Sequence, residues 1–266
     1  MRHDAPLKVR DRRFAFDRDP ASYWFDGDPF RSRFFDAFST MLPIGERFFI
    51  ESLRRCQPKL TDVALAQAVT LFIGQEAAHG REHRRYNERL RTLGYDLDAM
   101  DRSQKRVMWG ILGLPSDTVP LAVTVALEHI TAVLGAALLR DQLFENCDPE
   151  MVAFWKWHSA EEVEHKSVAF DAYVARGGGP HLRRVIMAWA MFIISLRMAS
   201  RLGHMLRKDG KLLDRATFSS GVRFMFGKHG FFRTMGNEFL DFFRRDYHPS
   251  SHDDYQLVRA WEDKAA

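Results

Sequence analysis

A chain of 266 residues, 46% hydrophobic and 28% charged, has the composition of a soluble globular protein with one sizeable core. Its formal net charge of +4 and pI near 9.1 come without zinc-finger spacing or an aromatic-and-basic RNA motif, which argues against a nucleic-acid partner and suits an anionic membrane surface or an acidic substrate. Two cysteines, Cys56 and Cys147, are too few for a disulfide framework and read as reduced thiols. Met1-Arg-His-Asp-Ala-Pro-Leu-Lys8 lacks the apolar stretch of a secretory signal. A cytoplasmic protein is therefore expected, with association at the inner membrane surface left open.

Residues 1–28 mix Arg and Asp with Phe14, Phe16, Tyr23, Trp24 and Phe25, and read as an extended arm laid on a helical bundle. From about Pro29 to Arg55 a broad apolar stripe (Phe34, Phe35, Phe38, Met41, Phe48, Phe49) predicts the first bundle helix. Pro43 should kink or divide it, and Glu46 follows that break. Thr61-Asp62 caps a second helix that runs through Ala64–Leu93 to Gly94. It carries Glu76, His79 and His83. Beyond Gly80 the residues are strongly charged, so solvated last turns are expected, and His83 is balanced between ligand and surface.

Residues 95–115 read as a connector with a weak helix over Gln104–Leu112. Pro115-Ser116-Asp117 opens a third helix, with Pro120 in its first turn. Its run from Leu121 to Phe144 is nearly all apolar but contains Glu128, and an unpaired ionised carboxylate there would be costly. His129 points about 100° away from Glu128 and reads as a core histidine or a support to a ligand. Asp148-Pro149-Glu150 starts a fourth helix that carries Met151–Arg176 and stops at Gly177-Gly178-Gly179-Pro180.

A fifth helix is expected over His181–Lys208. Its charge-free part, Val185 to Leu196 between Arg184 and Arg197, is short of the roughly 20 residues of a membrane span. A helix packed across the bundle is the main expectation, with a membrane-touching helix as the alternative. Phe218, Phe224, Phe226, Phe231, Phe232, Phe239, Phe242 and Phe243 then recur at helical spacing and suggest core or dimer contacts. Residues 248–266 read as a polar end segment. The expected organisation is an arm (1–28), a four-helix bundle (29–180), additional helices packed on it (181–247) and the polar end (248–266).

The chemistry lies in two motifs. Glu76 and His79, and again Glu162 and His165, form Glu-x-x-His pairs whose members share one helical face. His158 lies one turn before Glu162 on the same face. Two lone acids, Glu46 and Glu128, each precede one pair inside an apolar helical run. This order is similar to that of four-helix di-iron and di-manganese carboxylate proteins, and it implies an all-α, ferritin-like four-helix bundle with additional C-terminal helices. Two iron ions are the expected cofactors, with manganese or zinc as alternatives. Glu76 and Glu162 would bridge the ions. Glu46 with His79 would complete one, Glu128 with His165 the other, and His158 would reach the second. Glu161 and Glu164 lie about 100° and 200° round the helix from Glu162 and read as partners to ligands or as solvated groups.

The spacing His158-x-x-x-Glu162-x-x-His165 is similar to that of p-aminobenzoate N-oxygenase type di-iron enzymes in ligand order only. Over roughly residues 8–260, Leu42-Pro-Ile-Gly-Glu-Arg-Phe-Phe-Ile50, Gln75-Glu-Ala-Ala-His79, Glu161-Glu-Val-Glu-His165 and Tyr247-His-Pro249 resemble the bacterial family of predicted metal-dependent hydrolases. That family's Glu and His positions fall on Glu46, Glu76, His79, Glu128, Glu162 and His165. Ile44 departs from it, because members often carry Glu there, and that position is not a required ligand. The ligand set favours an O2-activating di-iron oxidase or oxygenase acting on a small hydrophobic or aromatic molecule, with an electron-donor protein as partner. A dinuclear hydrolase is the alternative, and a non-catalytic iron-binding bundle comes third.

Overall fold

The computed structural model describes residues 7–16, 23–140, 143–228 and 230–265; the rest of the expected arm, residues 1–6 and 17–22, lies outside them. Among the described residues the structure is all-helical, without strands. The helices are α1 (Pro29–Ser39), α2 (Leu42–Cys56), α3 (Val63–Thr92), α4 (Leu97–Leu112), α5 (Thr118–Leu139), α6 (Pro149–His165), α7 (Val168–Ala175), α8 (Pro180–Lys208), α9 (Arg215–Phe226), α10 (Phe231–Asp241) and α11 (Tyr255–Ala265). This is an all-α, ferritin-like bundle with extra helices. Helices α2 and α3 pack along each other, as do α5 and α6. Contacts of α2 with α5 and of α3 with α6 close the four.

Local sequence accounts for most helix starts. Asp62 caps α3 through the Leu65 amide at 3.1 Å. Asp148 caps α6 through the amides of Glu150 and Met151 at 3.0 and 3.1 Å, with Pro149 in the first turn. Pro43 divides the first expected helix outright. Helix α1 ends at Ser39, and Pro43 sits in the first turn of α2, where its missing N–H costs nothing. The connector holds a full helix, α4, capped by Asp96 on the Ala99 amide at 3.1 Å. The expected fourth helix is broken by a turn at Lys166 and Ser167 into α6 and α7. Neither Pro nor Gly marks that break. The polar end also contains a helix, α11, whose Val258 is fully buried against Ala136, Ala160 and Val163.

The last turns of α3 are solvated on one side only. Arg84, Glu88 and Arg91 are exposed, while Glu82, His83, Tyr86, Asn87 and Leu90 are buried, and the N-terminal arm lies over Glu82 and Tyr86. Phe14 donates its backbone N–H to Glu82 at 3.3 Å, and Phe14 and Phe16 meet Phe154 edge to face. Deeper in, Arg33 of α1 is buried between Asp36 at 2.6 Å and Asp209 at 2.7 Å, a pairing without which its charge could not leave water.

Helices α5 and α8 are both long and apolar enough to cross a membrane. In α5, 94% of the most apolar stretch is buried, which makes it the core helix of the bundle; in α8 the share is 17%. One side of α8 packs on α1 and α5, while Val185, Trp189, Phe192 and Leu196 remain exposed. Cys56 and Cys147 are free thiols.

Candidate metal centre

Eight acid and imidazole side chains meet between four helices. Helix α2 brings Glu46. Helix α3 brings Glu76, His79 and His83, at offsets that keep all three on one face. Helix α5 brings Glu128, and α6 brings His158, Glu162 and His165, again on one face. None is more than 3% exposed. Small residues allow this convergence. A Cβ on Gly135 of α5 would stand 2.9 Å from the backbone oxygen of Ser159 in α6, and one on Gly80 would stand 3.0 Å from Glu46 Oε2.

The ligand atoms form two groups, each with its atoms within 4.8 Å of one another: Glu76, His79, Glu162 and His165, and Glu46, His83 and His158. The groups adjoin through His79 and His158, whose ring centroids are 4.3 Å apart. In the first group His79 Nδ1 lies 3.6 Å from Glu76 Oε1 and 3.5 Å from Glu162 Oε1. His165 Nε2 lies 3.3 Å from Glu76 Oε1. In the second, His83 Nε2 is 3.8 Å from Glu46 Oε1; His158 Nε2 reaches across to Glu162 Oε1 of the first group at 3.3 Å.

The partnering therefore differs from the sequence-based arrangement. Glu46 groups with His83 and His158 rather than with His79, and His158 meets Glu162 at 3.3 Å. Glu128 lies outside both groups, with Oε2 2.9 Å from Nδ1 of His165. From there it can fix that ring as well as approach a cation. His129 is remote from both groups. Its Nδ1 is 2.9 Å from the Tyr247 hydroxyl, its ring packs on Phe242, and burial pushes its pKa down to about 3.

Around the two groups lies a set of orienting contacts. Glu161 Oε2 is 3.0 Å from Nε2 of His79, leaving Nδ1 to face the first group. Glu161 Oε1 accepts from the Arg10 amide at 2.9 Å. The Arg10 guanidinium also reaches Glu164 at 2.6 Å, and Gln75 donates to Glu164 at 2.9 Å. The Ser39 hydroxyl donates to Asn87 Oδ1 at 2.9 Å and lies 2.8 Å from Nδ1 of His83. With its proton committed to Asn87, Ser39 can only accept from His83, so Nδ1 carries the ring proton and Nε2 presents a lone pair to Glu46's group. Arg10, Ser39 and Asn87 carry no motif that marks them in the sequence.

Charge explains what these groups are for. Burial first, and then Glu76, drive the Glu46 pKa well above the ordinary carboxylate value. Burial and Glu162 do the same to Glu128. Burial pushes Glu76 up to about 7, with His79 opposing and Glu162 adding to the rise. Glu162 goes down to about 2, because His158, His165 and His79 outweigh its burial. Burial and neighbouring imidazoles hold His83 well below its usual value and His158 down at about 3. Burial would lower His79, but Glu161, Glu162 and Glu76 push it well up.

Both oxygens of Glu46 and Glu76 and both ring nitrogens of His158 are buried without a hydrogen bond, as are His79 Nδ1, His165 Nε2 and Glu128 Oε1. Orphaned acceptors in this number are costly in a folded core. Divalent cations accept such donors and displace the protons the acids would otherwise keep. The residues present fit two cations.

Comparison with known proteins follows this geometry. Residues 8–253 match a family described as "Predicted metal-dependent hydrolase". The chain belongs to that family. None of the curated proteins and none of the solved structures matches it.

Proposed function

We propose that this protein is a dinuclear metal-dependent enzyme, and that its reaction is hydrolytic. Glu76, His79, Glu162 and His165 would hold one cation, and Glu46, His83 and His158 the other, with Glu128 beside His165. The observation that carries the metal reading is the set of buried, hydrogen-bond-free carboxylate and imidazole atoms at the meeting of α2, α3, α5 and α6. The hydrolytic reading draws on the family's description. Cations so held would lower the pKa of a bound water and polarise an ester or amide carbonyl. The chain's own residues supply the rest. Glu161 and Ser39 set which imidazole nitrogens face the cations, and the arm with Arg10 closes the outer wall against bulk water.

A second reading is an O2-using oxidase with two iron ions and an electron-donor protein. The specific observation in its favour is the donor set, four carboxylates and four imidazoles without a sulfur ligand, enclosed where a small apolar gas penetrates more easily than water. Metal analysis of the wild type against Glu162→Ala and His158→Ala, with ester and amide cleavage and O2 consumption followed in parallel, tests both. Two metals per chain in the wild type, reduced in both variants together with cleavage, is the expected result. Metal-dependent O2 consumption without cleavage moves the assignment to the second reading. A full complement of two metals in Glu162→Ala overturns the metal assignment itself.

A further inference from the structure

An apolar cavity of about 550 Å³ lies between α1, α8 and α10, within the roughly 300–1,000 Å³ range of small-molecule sites. Phe34, Ile130, Met198, Phe231 and Phe239 are among the residues around it, and Ser195 is its one polar side chain. Its outer rim carries Phe232 and Leu240, which are 50% and 69% exposed, so it opens at the surface. It adjoins a narrower space between α2, α4, α5 and α8, sharing Phe38, Ile130 and Ile194 with it. That narrower space is walled by Leu42 and Phe49, one turn either side of Glu46, and by Thr131, one turn after Glu128. Its polar groups are already committed. Gln104 donates to the Met41 carbonyl at 2.8 Å and accepts from Arg201 at 2.7 Å, the Arg197 guanidinium at the rim donates to the Ser103 hydroxyl at 3.0 Å, and the Thr131 hydroxyl donates to helix carbonyls.

We propose that this passage is a substrate subsite for a single long hydrocarbon tail, entering between α8 and α10 and directing the other part of the molecule toward Glu46 and Glu128. The inference rests on the metal-centre reading for what happens at the inner end, and on the cavity alone for the tail. A void of this size, left empty, forfeits the contacts its rings would make. A chain of methylene groups supplies them and needs no hydrogen bond from walls that offer almost none. A polar or charged ligand of the same size would be stranded there.

The test is titration of the full-length protein with cis-parinaric acid, a straight-chain fatty acid that fluoresces in apolar surroundings. Saturable binding at one probe per chain is expected, displaced by palmitate and not by butyrate. Gly236→Trp and Ala199→Trp fill the cavity; a Cβ on Gly236 has nothing within 4 Å. Each should weaken probe binding at least tenfold while helix content by circular dichroism and metal content stay at wild-type levels. No saturable binding by the wild type, displacement by butyrate as readily as by palmitate, or unchanged affinity in both folded variants would overturn the proposal. A sedimentation result showing two copies that seal the rim, with no probe bound, would do so as well. Failure of the metal reading registers separately, as undiminished metal in Glu162→Ala, a substitution that should leave probe binding intact.

Discussion

The two flanks of α5 are built on opposite terms. Toward α3 and α6 it meets a fully buried crowd of acids and imidazoles, with helices drawn close by Gly135. Toward α8 and α10 it meets phenylalanine, methionine and leucine around open space. Both flanks are unfinished as protein alone, and they lack different things. The polar flank has too many donors for one another and needs cations. The apolar flank has too few neighbours and needs hydrocarbon. A side chain's surroundings therefore say more about its role than its burial does, since Glu128 and Ile130 sit within one turn of the same helix.

The largest test of this contrast is metal removal. If cations complete the polar flank, a chelator should cost the fold about 4 kcal/mol at metal concentrations a thousandfold above Kd. That corresponds to a fall of about 10 °C in melting temperature for a chain of this size. An unchanged melting curve, with metal loss verified by elemental analysis, would break the comparison. Next comes Gly135→Ala. Its methyl would meet the Ser159 backbone oxygen at 2.9 Å, so α5 and α6 must separate, at about 1–3 kcal/mol and with lower metal content, both readable by chemical denaturation and metal analysis.

A finer probe is Glu161→Gln, which leaves Arg10's partner in shape but weakens the hold on His79. Metal affinity should fall about 10–100-fold in a competitive titration, with little change in helix content. The smallest effect belongs to the other flank. Gly236→Ala places a methyl where no atom lies within 4 Å, inside a helix, and should stabilise by roughly 0.5–1 kcal/mol. The same substitution thus has opposite signs on the two flanks, and two equal signs would remove the distinction.

The sequence carried the polar flank more fully than the apolar one. Glu-x-x-His spacing is a local property of a helix, so the faces bearing Glu76 and His79, and His158, Glu162 and His165, were legible from offsets alone. Which imidazole joins which acid was not, because it depends on helix rotation and on contacts between segments. His83 illustrates the limit. Its neighbours Arg81, Glu82, Arg84 and Arg85 are a surface sequence by composition. Arg84 is indeed exposed, but His83 faces inward to Ser39 and Phe154, and Glu82 is covered by Phe14 of the returning arm, a return that nothing near residue 83 encodes. The break at Lys166 and Ser167, the helix α11, and the cavity between α1, α8 and α10 likewise arise from packing between distant segments.

The Arg10 strap has a consequence for the order of assembly. On the ribosome the arm emerges before the bundle, and Glu161 and Glu164, to which it is tied, are made some 150 residues later. For much of that time the arm has only α3 to rest on, through Glu82. The outer wall of the centre is therefore among the last surfaces to close, and until it does His79 and Glu161 stand open to the solution. Metal loading before that moment needs no passage through a finished protein.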